Sequence, residues 1–566
     1  MIEDLKLVVK NSLESYYKDK YDLQINIIVE EPKKASLGDI SVPMFTVVKA
    51  LRQPMPKLTS EAREVVLKSS DLFSKVVVMG AFVNITVDQT KVSEVVLNKI
   101  YNEKENYANL SDGNGKTVVL DYSSPNIAKS FSIGHLRSTM IGNSLKLILR
   151  KNGFNTVSIN YLGDWGTQFG KMIVAINKWG NVEEIKKDPI NNLTTLYRKF
   201  HTEAANDASL EDEAREAFRQ VELGNEEYLA MWKWIREESL KESAQIYDLL
   251  EVSFDSYNGE AFYNDKMGPI VDELEDKGLL VEDKGAMIVP LGDDMPPALI
   301  KRSDGGTLYI TRDLAAVEYR KQTYNFDRAL YVVGGEQKLH FVQLRKVLGL
   351  MDRDYANKIE HVAFGLYLTN GKKMSTRSGK VVKLYDVLQE SINLAKKQIE
   401  EKNPTLENKD EIARKVGVGA IVFNDLKNHR TLDVEFNMED SIKFEGQTGP
   451  YLQYTGVRIA SISKDIELDI NDVDYSLFSK PHYFEIVKQL DAFESQLRRA
   501  ALDAAPSVIA KYLLNLTQSF NKFYGLEKIN VTDSKTRNAN LLLSLSVRTI
   551  LNEGLRLLGI HYLEQM

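Results

Sequence analysis

The stretch DYSSPNIAKSFSIGHLRSTMIGNSL, Asp121 to Leu145, decides how the chain is read. It follows a short apolar run, Thr117 to Leu120, and passes through a polar turn. Beyond the turn, Leu136, Met140, Ile141, Leu145, Ile148 and Leu149 recur on one helical stripe. The predicted order is strand, turn, helix. A helix start carries unpaired N–H groups and a partial positive charge, so this junction is a ready anion site. Gly134 lets a flat base or a phosphate approach the backbone, and Lys129 and His135 can donate to phosphate oxygens. Neither GxGxxG nor GxxxxGK[ST] occurs, which excludes the dinucleotide and P-loop patterns. On these residues alone, an ordinary capped core helix fits as well as a nucleotide site.

The same rhythm continues downstream. NTVSINYLG reads as a second strand, and TLYITRDLAAVEYR, ALYVVGGEQKLHFVQLRKVL and HVAFGLYLTNG repeat strand, polar turn, and helix or hairpin. Strands alternating with helices predict an α/β fold with a doubly wound, Rossmann-like parallel sheet, whose ligands bind beyond the C-terminal strand ends. Residues 1–110 read as an N-terminal α+β unit, with YDLQINIIVEEP and KVVVMGAFVNITV as its strands. Residues 111–383 carry the sheet, interrupted by insertions near 181–251, charged and helical, and 257–299. From 384 to 566 helical periodicity dominates and strand signals vanish, which predicts an all-α domain.

Bulk composition sets the outer limits. At 566 residues the chain is too long for one core. It is 43% hydrophobic and 27% charged, has no cysteine, and places none of its seven histidines at zinc-binding spacing. Disulfides and thiolate metal sites are therefore excluded, and no structural metal is expected. No apolar run reaches the roughly 18 residues of a membrane helix, so the expected setting is the cytoplasm, without a membrane partner. The net charge of −7 leans against nucleic acid held by bulk electrostatics. An RNA partner would have to be gripped by local patches and shape.

A second segment, NGKKMSTRSGKVVKL from Asn370 to Leu384, follows a strand with four lysines, an arginine, hydroxyls and two glycines. By itself it is a solvated charge run. The pair, SIGH followed by KMSTR in an α/β chain, resembles the HIGH and KMSKS motifs of class I aminoacyl-tRNA synthetases. SSPNIAKSFSIGHLRST, YLGDWGTQFG, SDGGTLYITRDLAA, GPYLQYTGVR and AKYLLNLTQSFNKFY extend the similarity to the arginyl branch of that family, and GDISVPMF and GAFVNITV carry it to the N-terminal unit.

The resemblance implies activation of L-arginine by ATP and transfer of the arginyl group to the 3′-terminal adenosine of tRNA(Arg), with AMP and pyrophosphate released. ATP would bring Mg²⁺ as its counter-ion. Catalysis would fall to Lys129, His135, Lys373 and Ser375. Ser132, Gly134, His135, His340, Lys373 and Met374 would bind ATP. Asp121, Ser124, Pro125, Asn126, His135, Tyr309, Asp313 and Gln337 would bind arginine, with Asp313 as the guanidinium acceptor. Asp164 and Gln168 are further pocket candidates. There are two departures: the first histidine of HIGH is Ser132, and the second lysine of KMSKS is Thr376. Lys129 is the expected substitute for that lysine, with Arg377 as the alternative.

On the RNA side, Tyr451, Tyr454 and Arg458 share one helical face by spacing. The resemblance places that helix in an anticodon-binding domain and makes Phe82 and Asn84 tRNA contacts of the N-terminal unit. It also implies that activation waits for bound tRNA. A monomer is expected. Two rival readings remain: another class I synthetase, or a non-catalytic RNA-binding paralogue.

Overall fold

The computed structural model describes residues 1–127, 131–302, 309–369, 371–374 and 382–566. The N-terminal unit comprises α1 (Ile2–Tyr21), β1 (Ile40–Pro43), α2 (Phe45–Leu51), α3 (Met55–Ser69), β2 (Phe73–Met79), β3 (Phe82–Val87) and α4 (Gln89–Glu103). Its antiparallel sheet has the order β1-β3-β2. YDLQINIIVEEP is not one of the strands, which corrects the reading above. Only Ile27 in it is buried, Ile28 is exposed, and a single bridge joins Glu30 to Ser41. Leu23, Ile25 and Val29 lean on the core beside Ile27, but beyond that one bridge the segment has no partner strand to make a ladder with.

The central sheet starts with β4 (Thr117–Asp121), crosses through α5 (Ile133–Lys151) and returns as β5 (Asn155–Ile159). The chain then leaves the sheet for α6 (Thr167–Trp179) and four further helices: α7 (Val182–Lys187), α8 (Pro189–Ala204), α9 (Ser209–Glu222) and α10 (Glu226–Leu250). These make the predicted helical insertion. After α11 (Met267–Asp276), a small antiparallel sheet forms from β6 (Val281–Asp283), β7 (Ala286–Val289) and β8 (Ala298–Lys301). Next come α12 (Tyr309–Tyr324), β9 (Arg328–Tyr331), α13 (Lys338–Leu350) and β10 (Ile359–His361). Tyr309 therefore opens a helix, where the sequence had suggested a strand end. Ile310, Leu314 and Val317 supply its buried helical stripe.

The parallel sheet has the order β10-β9-β4-β5. Chain order reverses between β4 and β9, so the switch point lies beyond Asp121 and its register partner Tyr331. Side chains alternate across β4: Val118 and Leu120 share a core with α5, and Val119 packs with residues of α12 and α13. That places helices on both faces.

β11 (Tyr367–Thr369) and β12 (Lys372–Lys373) form a hairpin outside the parallel sheet. Their neighbour is β13 (Val434–Glu435), a two-residue strand inside the region expected to be purely helical. The helices there are α14 (Leu384–Lys402), α15 (Lys409–Leu426), α16 (Met438–Ser441), α17 (Gly449–Ser463), α18 (Pro481–Asp491), α19 (Phe493–Leu502), α20 (Ser507–Leu526) and α21 (Ser534–Leu557). α14, α15, α19 and α21 all pack on α5. One continuous apolar core runs from Leu5 through Leu136 and Leu145 to Ile560.

Candidate active site at the sheet switch point

Beyond Asp121 the backbone turns through Ser123 and Ser124, at φ 73° and 47°. Left-handed geometry is costly for residues with a Cβ, and a dense polar network holds it here. Ser123 N–H donates to Ser138 Oγ of α5 (2.9 Å), and Ser138 Oγ donates to Val332 O after β9 (2.7 Å). Ser124 N–H donates to Asn160 Oδ1 (3.2 Å), and Ser124 Oγ donates to Asp121 (3.0 Å). Tyr247 of the inserted α10 reaches in to Ser123 Oγ at 2.8 Å. Pro125 is buried, whereas Asn126 is exposed and pairs across a bridge with Gly163, leaving no room for a Cβ on that glycine.

Ser132 caps α5. Its N–H donates to His135 Nδ1 (3.0 Å), so the neutral ring carries its proton on Nε2. A Cβ on Gly134 would meet only Ser132 Oγ, at 3.6 Å. Among the described residues nothing requires a glycine there.

The second motif returns to the same turn. Tyr367 O accepts from Met374 N–H (2.9 Å) where the hairpin ends. On the exit side Ser132 bridges Lys383, Ile133 N–H donates to Val382 O (3.1 Å) and Leu384 N–H donates to Phe131 O (2.9 Å). Lys383 Nζ also donates to Asn191 of α8. Lys129 and Ser375 lie outside the described residues, and Lys373 is described by its backbone alone.

Two carboxylates stand near the switch point in different states. Asp121 is buried and ion-paired with Arg320 of α12 at 2.8 Å; rings of Tyr161 and Tyr331 flank that guanidinium at 5.2 and 5.4 Å. Its charge is matched internally by Arg320. Asp313, one turn into α12, is partly exposed and meets His340 Nε2 of α13 at 2.6 Å. His340 therefore faces a carboxylate rather than standing as a bare adenine contact. Gln337 is exposed in the turn after β9, and Tyr309 is 69% exposed at the start of α12. Glu260 lies 3.6 Å from Arg312, and burial pushes its carboxyl up to about 7 despite that cation.

Asp164 of GDWG is held by Arg236 (2.8 Å) and by Ala261 N–H (2.9 Å), while Trp232 of α10 bonds its carbonyl. It anchors the insertion and is closed to the pocket. Gln168 Nε2 donates weakly to Gly163 O (3.5 Å). Arg320, Glu260 and Tyr247 escaped the sequence reading because each looks like an ordinary helix or loop residue. Among the described residues no cluster of three or more metal-ligating side chains occurs, and no helix is long and apolar enough to cross a membrane.

Comparison with known proteins bears on this arrangement. Three family descriptions follow one another along the chain: "Arginyl tRNA synthetase N terminal domain" over residues 3–87, "tRNA synthetases class I (R), catalytic domain" over 96–438, and "DALR anticodon binding domain" over 452–566. The chain belongs to the arginyl-tRNA synthetase family. The arginine–tRNA ligase of Leuconostoc mesenteroides is 48% identical over 569 residues, covering 100% of both chains. That of Pediococcus pentosaceus is 49% identical over 546 residues, covering 96% of each. The fold matches that of Thermus thermophilus arginyl-tRNA synthetase with a TM-score of 0.82 at 23% identity, over 99% of this chain and 100% of that one.

In this synthetase the α17 face expected to meet RNA is only partly open. Tyr451 OH accepts from Asn521 Nδ2 (2.8 Å), and Arg458 donates to Asn521 Oδ1 (3.1 Å). Arg458 also lies over the rings of Tyr454 and Tyr524 at 5.0 and 5.3 Å. Tyr454 is exposed and borders a cleft of about 710 Å³ with Lys402, Phe444 and Met566. In the N-terminal unit Phe82 meets exposed Phe45 edge-on. Asn84, by contrast, is buried and accepts from Ser41 Oγ (2.8 Å), so its side chain presents nothing to RNA. Asn84 shares the β3 face of Phe82 and Thr86, opposite the core residues Val83, Ile85 and Val87, and is buried on that face beside Ser41.

Proposed function

We propose that the chain, as an arginine–tRNA ligase, runs its reaction at the switch point between β4 and β9. A carboxylate oxygen of L-arginine attacks the α-phosphorus of ATP and the bond to pyrophosphate breaks, giving arginyl-adenylate. The terminal adenosine of tRNA(Arg) then attacks the adenylate's carbonyl carbon through a ribose hydroxyl, and AMP leaves. Both are displacements in which positioning and charge stabilisation dominate.

The observation that carries this reading is the fastening of Val382–Leu384 to Phe131–Ile133, which brings the two motifs to one turn beyond the parallel strands. His135 Nε2–H and the open start of α5 would donate to the nucleotide, and Lys373 and Ser375 would neutralise its phosphates, with Lys129 in place of the lysine that Thr376 replaces. Ser132, Gly134 and Met374 would complete the ATP site. Asp313 would take the guanidinium, with Tyr309 beside it; Ser124, Asn126 and Gln337 would hold the amino and carboxylate groups. Guanidinium is always protonated and suits a planar carboxylate acceptor. Tyr451, Tyr454, Arg458 and Phe82 are the proposed RNA contacts. Mg²⁺ would enter with ATP, and the enzyme would act as a cytoplasmic monomer. Charging purified protein with each of the twenty amino acids, ATP and total tRNA tests the reading. Arginine alone should be esterified, and preference for another amino acid would overturn it.

A further inference from the structure

Arg137, two residues beyond His135 in α5, is 1% exposed. Its two terminal nitrogens are hydrogen-bonded, and its Nε is ion-paired without hydrogen-bond geometry. Nε faces Asp425 Oδ1 of α15 at 2.9 Å. One terminal nitrogen donates to Leu432 O (2.8 Å), the other to Arg430 O (3.3 Å). The rings of Tyr367 and Phe364 lie 5.7 and 6.0 Å from its central carbon.

Each of those contacts leads to the strand that carries the second motif. Tyr367 accepts the N–H of Met374. Two residues past Leu432, Val434 N–H donates to Leu366 O (2.8 Å), and Phe436 N–H donates to Leu368 O (3.0 Å). Arg430 O also accepts from Gly365 N–H (2.9 Å), and the Arg430 side chain donates to Ala363 O (2.8 Å). One buried cation thus joins the helix bearing His135 to β11, which pairs with Lys372–Lys373, to the segment entering β13 on the other side of β11, and to α15. A buried arginine costs much desolvation, so a purely structural link would be served more cheaply by an apolar side chain. A planar fork that donates to two carbonyls while its charge faces a carboxylate fixes orientation as well as distance.

We propose that Arg137 is a positioning residue for ATP activation: it sets where Lys372–Met374 lies relative to His135, and does so without touching substrate. This rests on reading those two segments as the ATP-binding pair. Lysine retains the charge opposite Asp425 but lacks the fork that spans the Leu432 and Arg430 carbonyls, so R137K is the test variant. The measurements are steady-state arginine-dependent pyrophosphate exchange with tRNA present, and single-turnover transfer from supplied arginyl-adenylate to tRNA. Exchange should lose about 10- to 100-fold in kcat/KM for ATP. KM for arginine and the transfer rate should stay within about two-fold, because neither requires the phosphate-binding segment. Equal losses in exchange and transfer, or an unchanged ATP dependence, would overturn the proposal. If R137K does not fold, Y367L, which removes the ring between the guanidinium and the hairpin, must give the same ATP-selective loss. Failure of the wild-type protein to charge arginine would instead remove the functional reading beneath it.

Discussion

A carboxylate recognises a guanidinium only if its own charge has not been spent elsewhere. Asp121 is ion-paired with Arg320 in the interior, whereas Asp313 is partly exposed and its partner among the described residues is His340. Asp313→Asn should raise the KM for arginine by about 10²- to 10³-fold, the scale for breaking a hydrogen-bonded charge pair. The KM for ATP should hardly move; an unchanged arginine KM in steady-state charging would take Asp313 out of the pocket. Glu260 gives a prediction in pH. Its carboxyl sits at about 7 in the fold against an ordinary value of 4.5. A raised value means that the fold favours the protonated form. The stability it contributes is complete below pH 4.5 and is lost as pH rises through 7. Glu260→Gln should therefore unfold later than wild type at pH 8.5, by at most about 3 kcal/mol, and converge with it towards pH 4.5. Earlier unfolding at pH 8.5 would mean that its pairing with Arg312 outweighs burial. Asp313 was legible in the sequence only through its motif. Arg320, seven residues on, has nothing in its spacing to distinguish a buried counter-ion from a surface charge.

At the level of single elements, α5 holds two glycines with opposite reasons. A Cβ on Gly142 would fall 2.1 Å from the Tyr122 ring, whereas one on Gly134 meets nothing nearer than 3.6 Å. Gly142→Ala should cost about 1–3 kcal/mol or more of folding stability in urea titration. Gly134→Ala should leave that stability intact and weaken ATP binding. The reverse pattern would show that the α5 start is packed by protein rather than left open for ligand. The long helices were readable because their apolar stripes repeat over several turns. The strands were harder: β9 has four residues and β10 three, too few for alternation to declare itself. YDLQINIIVEEP alternates in sequence but finds no partner strand. β13 forms because β11 offers it an edge, and no local pattern could announce that.

Taken whole, the molecule does not separate where its composition changes. The shift to helical periodicity near residue 384 is visible in the sequence, yet α14, α15, α19 and α21 supply one wall around α5. Lys151, at the end of α5, is buried and paired with Glu553 of α21 at 3.1 Å. A fragment comprising residues 1–383 should therefore fail to give a cooperative thermal transition and should aggregate. A soluble fragment with a sharp melt would show that the helical wall is dispensable. Contacts between such distant segments cannot be read from local periodicity. They had to come from a resemblance or from coordinates.

The hydroxyl of Ser144 donates to the carbonyl of Leu557, 413 residues later. At ribosomal speeds of about 5–20 residues per second, α5 emerges roughly 20–80 s before that acceptor has been made. The central helix of the parallel-sheet domain must therefore wait through that interval with its cover incomplete. A nascent chain of this kind is a natural client for chaperones until α21 packs on α5.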